Sequence, residues 1–283
     1  MTPWLSVDDP HDPRLDLFRD ISARRDPARR APFYVESELA VARLLASDFT
    51  TLAVLGTPAH LGRILADAPA RCPVYACDHA LLRGVVGFDL HRGVIACARR
   101  PPALTGDLPE STCPIHPVAV DLAAILARPT WTVLLVQGLA DPANLGSIVR
   151  SARAFAVDLV VLDHRGADPL DRRAIRGAMG HVFAQPLAVA ADLPAAVLHL
   201  QARGAAVYAA TLGPRARPVA GVGRPARLVI CVGNEGEGLP AAVCAAADLE
   251  VTIPIARDVD SLGVAAAAAV LLHALAAAPL AAN

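Results

Sequence analysis

Lysine is absent from all 283 residues, so each of the 26 basic side chains is an arginine. That absence excludes a P-loop, whose GxxxxGK[ST] motif places a lysine ammonium on the phosphates. Alongside abundant alanine it reads as a mark of genome composition, and it leaves a surface suited to bidentate phosphate contacts. Aromatic residues are scarce at 4%, so no base-stacking platform of the RRM or OB type is evident. A net charge of −1 argues against a protein that coats nucleic acid non-specifically. Phosphate contacts depend on where cations lie rather than on their sum. One local cluster, five Arg against two Asp from Arg19 to Arg30, reads either as a phosphate grip or as a solvated helix face.

The six cysteines (Cys72, Cys77, Cys97, Cys113, Cys231, Cys244) include no CxxC pair and no cysteine–histidine spacing of a zinc site. No metal is expected, and the thiols read as reduced and mostly buried in a cytoplasmic protein. The nine histidines form no HxxxH or HExxH pattern, and no Ser-His-Asp arrangement or cysteine-nucleophile motif is visible. The first twenty residues carry early acids and no apolar core, so they do not read as a signal peptide. The stretch 262–282 is apolar apart from His273, but it is mostly alanine and Pro279 interrupts it. It reads as a buried helix, and no membrane span is expected.

What is present fits two domains. The length suffices for both, and 54% hydrophobic residues supply a core for each. Five prolines between Arg99 and Pro117 divide the chain, because proline sits poorly inside regular elements. We therefore expect a small α/β domain over 1–110, a linker over 111–129 and a larger domain over 130–283. In the first, helical periodicity at 36–46 precedes strand-like runs at 51–55 and 93–98. In the second, strands are expected at 132–136, 157–162, 205–210, 227–232 and 249–253. Helices are expected at 144–155, 171–178, 192–202, 239–246 and 261–277. The short, continuously apolar strands indicate a parallel sheet covered on both faces, a Rossmann-like α/β arrangement.

Three runs carry the chemistry: NLGSIVR at 144–150, GNEGEGLP at 233–240 and IPIARDVDSLG at 253–263. Each adjoins a short apolar segment, where open α/β sheets place ligand sites. In the first, Asp141 and Asn144 are both good helix starters, so a capped helix with solvated Arg150 and Arg153 is one reading and a pocket edge is the other. In the second, Gly233, Gly236 and Gly238 allow close backbone approach, but a dinucleotide GxGxxG would come earlier, in the first βαβ unit. Glu235 reads as a cap or ion-pair partner, or as a group holding Arg150. In the third, Ile253, Pro254 and Ile255 end a strand and Ser261-Leu262 open the last helix, apolar surfaces suited to an adenine pocket.

Together, in this order and spacing over residues 131–278, the runs resemble the three signature motifs of the SpoU/TrmH branch of the SPOUT RNA methyltransferases. FYVESELAVARLL at 33–45 and HRGVIA at 91–96 resemble the L30e-like substrate-binding domain that precedes the catalytic domain in many members, although Ser37 stands where relatives often have Gly. The resemblance implies a deep trefoil knot in a C-terminal SPOUT domain, dimerisation through that domain, S-adenosylmethionine as cofactor and 2′-O-ribose methylation of ribosomal or transfer RNA. It also implies Asn144, Arg150, Glu235 and Ser261 as the catalytic set. The cofactor contacts it implies are Thr211, Leu212, Gly213, Gly233, Asn234, Gly238, Ile253, Ile255 and Leu262. His181 would lie beside the cofactor-facing region. The family's Ser-Leu-Asn-Val-Ser is here Ser261-Leu262-Gly263-Val264-Ala265, and Ala178 replaces a frequent Ser. Those losses keep open the alternative of a weakened or inactive scaffold that binds RNA.

Overall fold

A computed structural model describes residues 4–19, 21, 29, 31–67, 69–88, 90, 92–105, 108, 113–234, 236–256 and 258–275. Most of the basic cluster at 19–30 therefore lies outside the described residues.

The first sheet has five strands: β1 (Leu5–Ser6), β2 (Phe33–Glu36), β3 (Thr51–Gly56), β4 (Val74–Ala76) and β5 (Val94–Ala98). They lie in the order β1-β4-β3-β5-β2, parallel across β1, β4 and β3 and antiparallel across β3, β5 and β2. Helices α1 (Glu38–Leu45), α2 (Pro58–Asp67) and α3 (His79–Val86) connect them. Side chains alternate across a strand, and here both faces are buried. Ala53, Leu55, Ile95 and Cys97 face Leu15, Phe18, Leu82 and Val86. Val54, Val94 and Ala96 face Val41, Leu44, Leu61 and Ile64.

The second sheet has eight strands: β6 (Ile115–Val118), β7 (Trp131–Val136), β8 (Leu159–Asp163), β9 (Leu187–Ala190), β10 (Ala206–Ala210), β11 (Arg217–Pro218), β12 (Arg227–Val232) and β13 (Leu249–Thr252). The order is β11-β13-β10-β12-β7-β8-β9-β6, and all neighbours are parallel except β9 and β6. Leu134, Val136, Val160, Leu162, Leu228 and Ile230 face α5 (Pro142–Ala154), α6 (Arg172–Gly177) and α9 (Val264–Leu275). Trp131, Val133, Leu135, Leu159, Val161, Val229 and Cys231 face α4 (Leu122–Leu126), α7 (Leu193–Gln201) and α8 (Ala241–Ala246). The parallel α/β sheet expected from continuous apolar runs is thus present.

Several boundaries differ from expectation for identifiable reasons. Helix α5 starts at Pro142 because Asp141, not Asn144, caps it: the Asp141 carboxylate accepts from the Ala143 amide at 3.3 Å, and proline suits the first helical position. Residues 261–263 precede α9 rather than opening it. The expected linker at 111–129 includes β6 and α4. Pro117 fits within β6 because that strand lies at the sheet edge, where a missing N–H breaks no ladder. Among the described residues no helix is long and apolar enough to cross a membrane.

The two sheets share a core. Phe33 and Phe49, on the side of the first sheet, meet Phe183, on the side of the second, at ring-centroid distances of 6.1 and 5.4 Å. Arg172 Nε donates to Glu36 Oε1 at 2.6 Å while its guanidinium stacks 4.1 Å from the Phe88 ring. Arg100 pairs with Asp168, Nη1 to Oδ1 at 2.9 Å and Nη2 to Oδ2 at 2.8 Å. Ser37 adopts φ 83°, and its hydroxyl caps α1 by accepting from Ala40 N at 3.4 Å. A glycine would adopt that backbone conformation without strain.

Truncating Phe183 removes one ring from a three-ring cluster that joins the two sheets. We expect Phe183→Ala to cost about 3 kcal/mol in urea-induced unfolding; a loss below about 1 kcal/mol would show that the rings do not couple the sheets.

Candidate active site and cofactor cavity

A cavity of about 500 Å³ opens where β10, β12 and β13 end, with α9 as its back wall. Carboxyl ends of parallel strands are where this architecture leaves room for ligands, and the volume falls in the small-molecule range. Thr211 and Leu212 follow β10, Val232, Gly233 and Asn234 follow from β12, and Ile253 and Ile255 follow β13. Gly238, Ser261 and Leu262 complete the rim. These include nearly every cofactor contact expected from sequence. Gly213 does not line the cavity; it sits on its shoulder, where an added Cβ would lie 3.1 Å from Glu250 Oε2. Glu235 lies outside the described residues.

The loop after β12 is built by its own residues. Asn234 Oδ1 accepts from the amides of Gly236 at 3.0 Å and Glu237 at 2.6 Å, and Gly238 N donates to Asn234 O at 3.2 Å. The Asn234 carbonyl group of the side chain is therefore engaged in shaping the loop. The loop then folds against Gly233, where a Cβ would lie 2.1 Å from the Gly238 carbonyl carbon. Only glycine fits there. At Gly263 the reverse holds, since a Cβ would meet nothing within 4 Å.

One polar wall of the cavity was not foreseen. Glu250 on β13 accepts from Thr211 Oγ1 at 3.0 Å and pairs with Arg215 Nη2 at 2.8 Å. Arg215, Glu250 and Cys244 all line the cavity. Burial, then the Glu250 carboxylate, pushes the Cys244 thiol above its ordinary range. Nothing in the local pattern of LEVT marks Glu250, because its role depends on a residue 39 positions away.

Asn144 and Arg150 do not line this cavity. They lie on α5, Asn144 half-buried and Arg150 exposed. Gly146 lets α5 press backbone to backbone on α6: a Cβ would come within 2.3 Å of the Ala174 carbonyl oxygen. Beyond that contact, Arg150 and Arg153 approach His181, whose imidazole is held below the usual histidine range by burial first and then by Arg43, Arg153 and Arg150. Arg43 reaches across from α1 to donate to the Met179 carbonyl. Among the described residues no carboxylate forms an ion pair with Arg43, Arg150 or Arg153. Nor does any cluster of three or more His, Cys, Asp or Glu suited to a metal occur among the described residues.

The sequence profile of the SpoU rRNA Methylase family matches residues 132–273. An uncharacterized tRNA/rRNA methyltransferase of Mycobacterium bovis is 40% identical over 276 residues, spanning 94% of this chain and 90% of that protein. The chain belongs to the SpoU rRNA methylase family. A 23S rRNA (guanosine(2553)-2′-O)-methyltransferase of Bacillus subtilis is 38% identical over 143 residues, 50% of this chain and 57% of that protein. Among solved structures, one of an RNA 2′-O ribose methyltransferase superposes with TM-score 0.71 at 25% identity, covering 95% of this chain and 97% of the other. The SpoU methyltransferase AviRb from Streptomyces viridochromogenes, crystallised with AdoMet, has the same fold at TM-score 0.74 and 20% identity, covering 93% and 97%.

Because the loop closes on Gly233 while space is open at Gly263, substitutions there should diverge. We expect Gly233→Ala to weaken S-adenosylmethionine binding more than tenfold in calorimetry, and Gly263→Asn to bind within about twofold of the native protein. Normal binding by Gly233→Ala would show that the loop is not held as described.

Proposed function

We propose that this SpoU-family protein methylates a ribose 2′-oxygen of ribosomal or transfer RNA, using S-adenosylmethionine held in the 500 Å³ cavity. The observation that carries the reading is the convergence on one cavity of the strand ends bearing the second and third motifs. The chain is an S-adenosylmethionine-dependent RNA methyltransferase by family. When bound, the cofactor supplies an electrophilic methyl group on a sulfonium. The residues present suit it: Leu212, Ile253 and Leu262 offer apolar surface for an adenine, while Thr211 and Glu250 offer acceptors for hydroxyl or ammonium groups.

The ribose 2′-hydroxyl is a weak acid, so its oxygen needs either proton removal or stabilisation of developing negative charge. We assign that work to Arg150, with Asn144 and Ser261 placing the ribose. Guanidinium stays protonated in proteins, so Arg150 acts in this reading as a cation that orients the oxygen. Glu235 is assigned to holding Arg150. Residues 1–110 are read as an L30e-like RNA-recognising domain and residues 130–283 as a knotted SPOUT domain that pairs with a second copy in the cytoplasm. Supporting a shared site across two copies is the separation of Arg150 from the cavity of its own chain. Supporting RNA is the group of Arg43, Arg150 and Arg153, none of which forms an ion pair with a carboxylate among the described residues.

Arg150→Ala should lower methyl transfer at least a hundredfold while leaving cofactor affinity in the micromolar to sub-millimolar range, roughly −5 to −8 kcal/mol. Arg150→Lys should fail as well, since an ammonium lacks the planar fork. Loss of one 2′-O-methyl group from the RNA of a deletion strain would identify the target nucleotide; wild-type activity in either variant would remove Arg150 from the mechanism.

His181 gives a second expectation. Its imidazole is held low in the free protein by burial, Arg43, Arg153 and Arg150, and a neighbouring RNA phosphate would raise it. A group whose proton affinity rises on binding takes up a proton with the ligand. RNA should therefore bind more tightly as pH falls from about 7.5 toward the ordinary histidine value of about 6.5 and below. That trend should vanish in His181→Gln, and Arg153→Gln should reduce the salt slope by about 1. RNA binding that is independent of pH in the native protein would place the phosphate elsewhere.

A further inference from the structure

On the face of the large sheet covered by α4 and α7 lies a second cavity, of about 550 Å³. Its walls are largely apolar, including Ile115, Leu122 and Leu126, yet Cys113, His116, His199 and Arg203 also open onto it. Cys113 Sγ lies 3.7 Å from His199 Nε2 across 86 residues of sequence. His116 is only 8% exposed, and no hydrogen bond from its ring is found among the described residues. Arg203, one helical turn beyond His199, donates through Nη1 to the His199 carbonyl at 3.0 Å. None of these groups lines the first cavity.

The thiolate is the nucleophilic form of cysteine, and apolar burial suppresses it. Burial pushes Cys77 and Cys231 up to about 12, and it raises Cys72 and Cys244 as well. Cys97 is fully buried. Among the described residues, Cys113 is the cysteine with an imidazole nitrogen within reach. Burial, then Arg203, holds the His199 imidazole below the usual histidine range, so it is a neutral base at pH 7.

We propose that Cys113 and His199 form a thiol-modification site that captures low-molecular-weight disulfides bearing a carboxylate. The Cys113 proton passes to His199 Nε2 and the sulfur electron pair forms an S–S bond with one sulfur of the disulfide. The original S–S bond breaks, and the departing thiolate takes the proton from the imidazolium. Cys113 is oxidised to a mixed disulfide and the small disulfide is reduced to one thiol plus the attached half. Arg203 attracts the carboxylate, and the cavity has room for the adduct.

The test is incubation of the full-length protein with glutathione disulfide, followed by peptide mass mapping of all six cysteines. Cys113 should be modified at least ten times faster than Cys72 or Cys244. His199→Gln should slow that reaction at least tenfold. Arg203→Gln should slow glutathione disulfide but leave the neutral 2-hydroxyethyl disulfide unchanged. Earlier modification of Cys72 or Cys244, or full reactivity in His199→Gln, would each overturn the proposal.

Discussion

The contact at Gly146 governs how the rest of the molecule is arranged. A helix side chain at that point would drive α5 away from α6, because a Cβ would sit 2.3 Å from the Ala174 carbonyl oxygen. With glycine there, the two helices meet backbone to backbone, since the side chains at a helix contact set how near the axes can come. Helix α6 in turn carries Arg172 to Glu36 and Phe88, beside the first sheet. The turn after α6 brings Gly180 against Ala40 and puts Met179 in reach of Arg43. One missing side chain thus sets the spacing between α5, which bears Asn144 and Arg150, and the domain read as gripping RNA.

Arginine is the only cation available for those junctions, and its geometry matters at each. Arg172 uses its edge for Glu36 and its face for Phe88 at once, which an ammonium cannot do. Arg100 engages both oxygens of Asp168 while almost wholly buried, at 9% side-chain exposure. Truncating either partner there would leave a buried charge uncompensated, a larger effect than breaking the exposed pair of Arg63 with Glu38. The lysine-free composition, which on its own says nothing of function, therefore has structural consequences wherever a cation crosses between domains.

Local pattern made the larger sheet legible: β12 falls on the expected residues 227–232, and the apolar runs of β7 and β8 lie within a residue or two of expectation. Where competing signals occupied one stretch, the pattern misled. Prolines hid β6, since the rule against proline in strands lapses at an edge. Asp141 and Asn144 both suit a cap, and Pro142 decided for the former. Most residues lining the first cavity were named through the family resemblance, whose motifs are contiguous runs at strand ends. Glu250 with Thr211, Arg43 with Met179 and Cys113 with His199 could not be placed, because each pairing joins residues 39, 136 and 86 positions apart through the fold.

The polar groups of the proposed reaction are sorted by charge into two regions. Glu250 presents a carboxylate to the cofactor cavity at 15% side-chain exposure, and its partner Arg215 is 82% exposed. The carboxylate is thus held at the cavity wall by the Thr211 hydroxyl and by an arginine that is itself mostly in solvent, where the pairing is screened. The surface around His181 collects three guanidiniums and no paired acid among the described residues. Assembling like charges this way costs folding energy unless a polyanion offsets it. Loss of the family's Asn at Gly263 removes a neutral donor, worth about 2.7 to 4 kcal/mol where such a donor meets the reacting oxygen. It removes no charge from either region. In the proposed reading the departure at Gly263 therefore bears on the rate of methyl transfer rather than on the charge of either region.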